Sequence, residues 1–377
     1  MAGLYFHIPF CRKACHYCDF HFSTQLASLD RMVLAMTKEL TLRSNELSSP
    51  INTVYFGGGT PSLLNTKDLE ALMAGVHNSY LLSPDVEFTL EANPEDITIA
   101  SLTNWKSLGI NRLSIGLQGL NDEELQWMNR IHDSQRSINA VKMAMDQGFR
   151  NITVDLIYGS KFQTLTSWIN TIKTVVELGV PHISAYNLTV EQGTALGVKV
   201  KRGQEPEVDE TLSSELFLAL MEELAVQGYE HYEISNFALP GYRSRHNANY
   251  WKGESYIGIG PSAHSFNGQI RRWNVRNNPA YMKAIEEGNP FYEEEIIDNR
   301  TAYNEYVMTG LRTIEGCDLN LMQERFGTTL TSYFKKEIQR YNGFYTEVEN
   351  HVSLTKNGRL LADRIASDLF FLDKPVN

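Results

Sequence analysis

Cys11, Cys15 and Cys18 stand in a C-x3-C-x2-C spacing near the start of the chain, and the only other cysteine, Cys317, is far downstream. Three thiolates closing one short loop suit a [4Fe-4S] cluster, which prefers soft sulfur ligands. Such clusters commonly take four cysteines, so three leave one iron open to another ligand and to chemistry. A zinc site built from these cysteines plus His7, His16 or His21 is the plainer alternative, although structural zinc sites usually come as two separated ligand pairs. A disulfide framework is disfavoured by the odd count in the loop and the lack of a secretory signal.

Further polar residues fall where apolar runs end. Gly57-Gly58-Gly59-Thr60-Pro61 follows one run, but it lacks the Gly-Lys-Ser/Thr ending of a phosphate-binding P-loop. Bare glycines let a backbone approach an extended amino-acid tail, whose ammonium group can donate to carbonyls. Glu91 closes the run Val86-Glu87-Phe88-Thr89-Leu90 and is placed to accept ribose hydroxyl protons, as acids do in dinucleotide sites. Gln118 and Asp155 end or interrupt later runs. Arg130 reads as a solvated arginine on a helix.

The elements that must position these groups follow from hydrophobic periodicity. Strand-like runs occur at 4–8, 53–56, 86–90, 112–117, 152–157 and 182–188. Leu29, Met32, Val33, Met36 and Leu40 repeat as one face of a helix. Segments 66–78, 98–108, 134–147 and 164–178 also read as helices, with Gly109 and Gly148 where two of them stop. Successive β-α units imply an α/β fold with a parallel sheet. Polar groups at five successive strand ends favour a barrel, whose site gathers all strand ends on one rim, over an open sheet with one switch point. Six strands make it a partial (β/α)6-type barrel.

The expected units are 1–235, the barrel; 236–297, a Gly- and aromatic-rich extension; and 298–377, a smaller α+β module. In the last, helices near 300–313, 318–326 and 329–340, short strands near 344–348 and 351–354, and a further helix from 356 are ordered as in a winged helix. That order invites a DNA-binding reading. However, residues 300–377 hold ten Lys/Arg and ten Asp/Glu, so structural support or partner docking is expected instead. The whole chain carries a formal charge of −11, which argues against a nucleic-acid partner. No apolar stretch reaches membrane-span length, and Met1 runs almost directly into the first strand. A cytoplasmic protein with reduced thiols is expected, with a peripheral membrane contact left open.

The cysteine loop resembles the signature of the radical S-adenosylmethionine (SAM) superfamily, in which SAM chelates the open iron and is cleaved to a 5′-deoxyadenosyl radical. Three phrases, Leu4-Tyr5-Phe6-His7-Ile8-Pro9-Phe10-Cys11, Val54-Tyr55-Phe56-Gly57-Gly58-Gly59-Thr60-Pro61-Ser62 and Glu91-Ala92-Asn93-Pro94-Glu95, are similar to the oxygen-independent coproporphyrinogen III oxidase family. So are Arg112-Leu113-Ser114-Ile115-Gly116-Leu117-Gln118 and Asp155-Leu156-Ile157-Tyr158-Gly159, and the likeness continues into the C-terminal module. It implies a SAM site at Tyr5, Gly58, Gly59, Thr60, Glu91, Gln118, Arg130 and Asp155.

Two departures point to the heme-chaperone branch of that family. The oxidase has a further cysteine where this chain has Phe20, and an N-terminal extension ahead of its first strand. The chaperone branch carries a His-Asn-x-x-Tyr-Trp motif, matched by His246-Asn247-Ala248-Asn249-Tyr250-Trp251. By this resemblance His246, Asn247, Tyr250 and Trp251 form a heme site. His246 is the expected axial ligand, Tyr250 and Trp251 supply flat apolar surface, and Arg243 and Arg245 pair with propionates. The implied cofactors are the cluster, SAM and heme, and the implied partner is an acceptor apo-hemoprotein, expected in a respiratory chain; no electron donor is indicated. Oxidative decarboxylation of coproporphyrinogen III is the enzymatic alternative, and a zinc-stabilised binding module the third. Cys317 is expected as a buried small hydrophobe.

Overall fold

Six strands run parallel and in chain order: β1 (Ala2–Ile8), β2 (Ile51–Gly58), β3 (Leu82–Ala92), β4 (Arg112–Gln118), β5 (Asn151–Tyr158) and β6 (His182–Asn187). This computed structural model describes residues 2–47 and 49–372; residues 1, 48 and 373–377, inside the expected units 1–235 and 298–377, lie outside the described residues. The helices Leu29–Leu42, Thr66–Ser79, Ile99–Ser107, Ser134–Asp146 and Leu165–Glu177 return the chain between strands. Their starts are chemically marked. Asn65, Thr98, Asp133 and Thr164 each accept the amide three residues on, a cap worth about 1 kcal/mol. On the first helix Met32, Val33, Met36 and Leu40 are buried, as their spacing predicts. Gly109 and Gly148 end helices at φ of +90° and +86°, where a side chain would be strained.

The sheet is larger than six strands. β7 (Glu230–Glu233) and β8 (Asn236–Ala238) form an antiparallel pair beyond β6, while β9 (Ser255–Ile259) lies parallel to β1. β10 (His264–Phe266), β11 (Ile270–Asn274) and β12 (Tyr292–Ile296) continue antiparallel from β9. The order is β12-β11-β10-β9-β1-β2-β3-β4-β5-β6-β8-β7. Residues 236–297, expected as an extension, therefore run along both edges of the barrel sheet. Ile257, Ile259, Tyr281 and Met282 share the barrel's own hydrophobic core. A buried polar joint locks this segment to the first helix: Glu39 accepts from Asn274 Nδ2 and Gly260 N, each at 2.8 Å, and pairs with Arg43 at 3.1 Å. Removing one member would strand a buried charge, a loss of several kcal/mol, about 3–5.

The C-terminal module has a core of its own, including Tyr303, Val307, Phe334 and Ile365. Its helical spans Asn299–Leu311 and Leu319–Ile338 pack with a small antiparallel sheet in the order β13 (Cys317–Asp318), β15 (His351–Leu354), β14 (Tyr345–Val348), β13 lying between the two spans in the chain. The span Leu319–Ile338 is two helices meeting at Gly327, whose φ of +80° is non-helical, in accord with the separate helices expected near 318–326 and 329–340. Cys317 is fully buried, as expected of a small hydrophobe. No described helix is long and apolar enough to cross a membrane.

Candidate functional site

The cysteine loop leaves β1 and folds back on its own entry: Cys11 N donates to Ser23 O at 3.0 Å and Ser23 N to Pro9 O at 2.9 Å. Across the rim, His16 N reaches Met128 O at 3.1 Å and Asn129 Nδ2 reaches Ala14 O at 2.6 Å. All three thiols are half-buried. Burial pushes the Cys11 thiol up to about 11 and raises that of Cys18 as well, so metal binding must release protons. Thr60 Oγ1 and Arg130 Nη1 each lie 3.4 Å from a sulfur, of Cys11 and Cys15 respectively, and both can donate to a thiolate. Among the described residues no three His, Cys, Asp or Glu side chains gather closely enough to hold a single ion. A four-iron cluster takes one thiolate per iron and needs no such convergence. The histidines of the zinc alternative each spend a ring nitrogen elsewhere: His7 on His21 O, His16 on Trp127 O, His21 on Asn278.

The loop forms one wall of a cavity of about 550 Å³ at the carboxyl ends of β1–β6. Gly58, Gly59, Thr60, Glu91, Gln118, Arg130 and Asp155 all line it. Tyr5 does not; its hydroxyl is held by His7 Nδ1 at 3.1 Å. The glycines are required by packing as well as by any ligand. A Cβ on Gly59 would stand 2.6 Å from Phe10 O, and one on Gly57 would stand 3.0 Å from Glu91 Oε1.

Glu91 accepts from the Tyr55 hydroxyl at 2.7 Å, yet burial pushes its carboxyl up to about 8. Asp155 accepts from Ser114 Oγ at 3.2 Å and is pushed up to about 6, again by burial. Gln118 has φ of +66° at a break in register between β4 and β5, a strained end that turns the chain into the pocket. Arg130 is not on a helix: it lies past the helix Asp122–Trp127, in the link to Ser134–Asp146. Its Nη2 donates to Asn93 Oδ1 at 2.6 Å and Gly116 O at 3.1 Å, tying two strand tips to the cysteine loop. A lone arginine gives no sequence sign of this.

Arg112 was not singled out by the sequence as a site residue. It is fully buried, lines the cavity and donates to Thr153 Oγ1, which is 3.0 Å from His182 Nδ1; His182 Nε2 is 2.7 Å from the Tyr232 hydroxyl. The available signal was alternation. Arg112/Ser114, Thr153/Asp155 and His182/Ser184 put polar groups where a packed barrel interior carries Val, Ile or Leu. The Nε atoms of Arg112 and Arg130 are buried without partners among the described residues. Unsatisfied cationic donors, two acids with raised affinity for protons and three thiols on one wall fit a ligand bearing a carboxylate, hydroxyls and a metal-chelating end. The residues present therefore fit a [4Fe-4S] cluster and SAM.

The His-Asn-x-x-Tyr-Trp motif is placed differently from its expected role. It forms the helix Arg245–Trp251, and His246 is 2% exposed. Its Nδ1 lies 2.8 Å from Thr53 Oγ1 and its Nε2 2.9 Å from the Tyr250 hydroxyl, while its ring stacks 4.9 Å from Tyr55. Burial, then the Arg112 charge, lowers its pKa to about 3. With both nitrogens engaged inside the barrel, His246 has no lone pair free for iron. Arg243 is forked onto Glu230 at 2.8 and 2.6 Å and pairs with Glu315, and Arg245 donates to Asp85 O at 2.6 Å. Neither is a free propionate partner. Asn247 reaches the cavity lining, and Trp251 packs under Arg312, 5.3 Å from ring centre to guanidinium.

Comparison with known proteins agrees with this geometry. A model of the radical SAM superfamily matches residues 5–175, and one of the HemN C-terminal domain matches residues 297–361. A protein from Mycobacterium tuberculosis named heme chaperone HemW is 34% identical over 97% of this chain and 94% of its own length. The chain belongs to the HemW family. A Bacillus subtilis heme chaperone HemW is 32% identical over 97% of this chain and 98% of that protein. The solved structure of coproporphyrinogen III oxidase (HemN) from Escherichia coli shares the fold, with a TM-score of 0.85 over 98% of this chain and 90% of that one, at 24% identity. Membership in HemW makes this a radical SAM-type protein, with the cluster and SAM as the cofactors its fold implies.

Proposed function

We propose that this chain is a heme chaperone: it binds heme and hands it to an apo-hemoprotein, with a respiratory-chain protein as the expected acceptor. The observation that carries the reading is similarity along nearly the whole chain to proteins named heme chaperone HemW. Cys11, Cys15 and Cys18 hold the cluster, with Thr60 and Arg130 donating toward two of the sulfurs. Gly58 and Gly59 offer bare backbone to the amino-acid end of SAM, and Glu91 and Asp155 accept its ribose hydroxyls. Gln118 and Arg130 close the remaining wall. When bound, the cluster supplies one-electron chemistry at its open iron. Heme ligation by His246 is not part of the proposal.

The oxidase reading has the shared fold in its favour. Against it, Phe20 stands where the oxidase has its additional cysteine, and the residue is 70% exposed beside the cavity it lines. The deciding experiment uses anaerobically reconstituted full-length protein. Hemin titration followed by transfer to an apo-hemoprotein should succeed, and coproporphyrinogen III should remain unconverted under reducing conditions with SAM. Robust turnover without hemin binding would establish the oxidase instead.

A further inference from the structure

The C-terminal module joins the barrel sheet through backbone. Residues 312–314 lie antiparallel to residues 232–234: Ile234 N donates to Arg312 O and Ile314 N to Tyr232 O, each at 3.0 Å. At the centre of this joint stands Glu233, 1% exposed. Its Oε1 accepts from Arg312 Nε at 3.2 Å. Arg312 Nη1 donates in turn to Asp363 Oδ1 at 2.8 Å, so the cation is both supplied and held by the module.

From Glu233 a line of side chains leads inward to the cavity. Glu233 Oε2 accepts from Asn236 Nδ2 at 2.5 Å, and Asn236 Oδ1 accepts from Ser184 Oγ at 2.9 Å. Sheet register sets each step. Glu233 pairs with Asn236 between β7 and β8, Asn236 with Ser184 between β8 and β6, and Ser184 with Asp155 between β6 and β5. Asn236 and Ser184 are buried, so bulk water does not compete for these bonds. Ser184 and Asp155 both line the cavity, and the Ser184 hydroxyl is also within hydrogen-bond reach of the Asp155 carboxyl and the Tyr186 hydroxyl.

The line has a direction. A carboxylate only accepts, so Glu233 takes the amide N–H of Asn236 and leaves the amide oxygen facing Ser184. A serine hydroxyl has one proton to give, and here it goes to that oxygen. Ser184 therefore meets Asp155 and the cavity with lone pairs. Such an acceptor wall suits the hydroxyls of a ribose. Turned the other way, the Ser184 proton would occupy a carboxylate lone pair that a ligand hydroxyl needs.

We propose that the C-terminal module tunes SAM binding through the relay Arg312–Glu233–Asn236–Ser184, which keeps the Ser184 proton off Asp155. Glu233 and Asn236 are positioning residues; they lie outside the cavity lining and act through Ser184. The inference rests on the SAM pocket assigned above. Binding couplings are reciprocal, so SAM must also tighten the joint.

The test is equilibrium dialysis of SAM against the anaerobically reconstituted full chain. Asn236→Ala should weaken SAM binding about fivefold, the worth of one neutral hydrogen bond, with iron and sulfide unchanged. Arg312→Ala should act in the same direction, and Arg312→Lys should recover affinity by restoring the cation beside Glu233. Ser184→Ala should weaken binding too. On that background Asn236→Ala and Arg312→Ala should add nothing, because the proton they steer is gone. General loosening of the fold would multiply the losses instead, and that result overturns the relay. Glu315→Ala, which cuts the pair with Arg243 elsewhere between barrel and module, should bind SAM as wild type does. In hydrogen exchange, SAM should slow the peptides containing Ile234 and Ile314 in wild type but not in Asn236→Ala. Wild-type SAM affinity in Asn236→Ala, or in Arg312→Ala if the first does not fold, overturns the relay and leaves the pocket standing. Failure of the wild-type chain to bind SAM overturns the pocket, and the relay with it.

Discussion

Replacing Glu91 with Gln tests the SAM pocket through its pH dependence. Glu91 accepts from Tyr55 at 2.7 Å, and in the pocket without ligand its carboxyl is pushed up to about 8 by burial. Only the ionised form accepts two ribose hydroxyls without donating a proton of its own. At pH 7 the carboxyl is therefore mostly protonated, and ionising it costs about 1.4 kcal/mol, one unit of pKa. SAM affinity in the wild-type chain should rise about tenfold between pH 7 and pH 9 from this group alone. The ligand's own amino group titrates in the same range. The informative quantity is consequently the ratio of wild-type to Glu91→Gln affinity at each pH. Glu91→Gln loses the charge-assisted part of the interaction, about 1.5–3 kcal/mol, or ten- to a hundredfold at high pH. The ratio should shrink as pH falls, because the wild-type acid is then neutral too. Equilibrium dialysis of radiolabelled SAM against anaerobically reconstituted protein measures it. A ratio near one at pH 9, with the cluster intact, removes Glu91 from the SAM site.

Changing Cys11, Cys15 and Cys18 together to Ala should abolish bound iron and brown colour, whereas Cys317→Ala should keep both and lower only thermal stability; metal analysis and a melting curve separate the two. Stoichiometric zinc in the wild-type protein would refute the cluster. Asp155→Ala should weaken SAM binding about ten- to a hundredfold without loss of iron, by the same charged hydrogen-bond argument. His246→Ala should lower the melting temperature and leave the Soret band of the heme complex in place, since the ring is a packed, hydrogen-bonded core group; a lost band would restore it as ligand. Acid should turn the buried histidines against the fold. His7 and His246 are buried with pKa values lowered to about 4 and about 3, against an ordinary 6.5. Below pH 6.5 the unfolded chain binds protons that the folded chain refuses, so stability falls with pH, by about 2 kcal/mol per histidine at pH 5. The raised carboxyls of Glu91 and Asp155 gain stability over the same range, so the check is the difference in melting temperature between wild type and His246→Ala, which should shrink from pH 7 to pH 5; a constant difference would count against this.

The local chemistry was legible in the residues alone. Cys11, Cys15 and Cys18 are close in sequence, so their spacing already constrains the loop. Gly57–Gly59 and Glu91 sit at strand ends that a period-two pattern marks, and parallel β-α order sends those ends to one rim. What the sequence could not convey was which way each side chain turns once strands distant in the chain lie side by side. Arg130 looked solvated until the tips of β3 and β4 came to flank it. Arg112 became a buried cation because alternate residues of neighbouring strands face the barrel interior in register. The edges went unread because β9 pairs with β1 and β8 with β6, partners far apart in sequence with little periodic signal of their own. His246 shows the limit most clearly. It lies in a motif, yet a side chain's availability depends on its neighbours in space. Helix packing gives both His246 nitrogens partners inside the barrel.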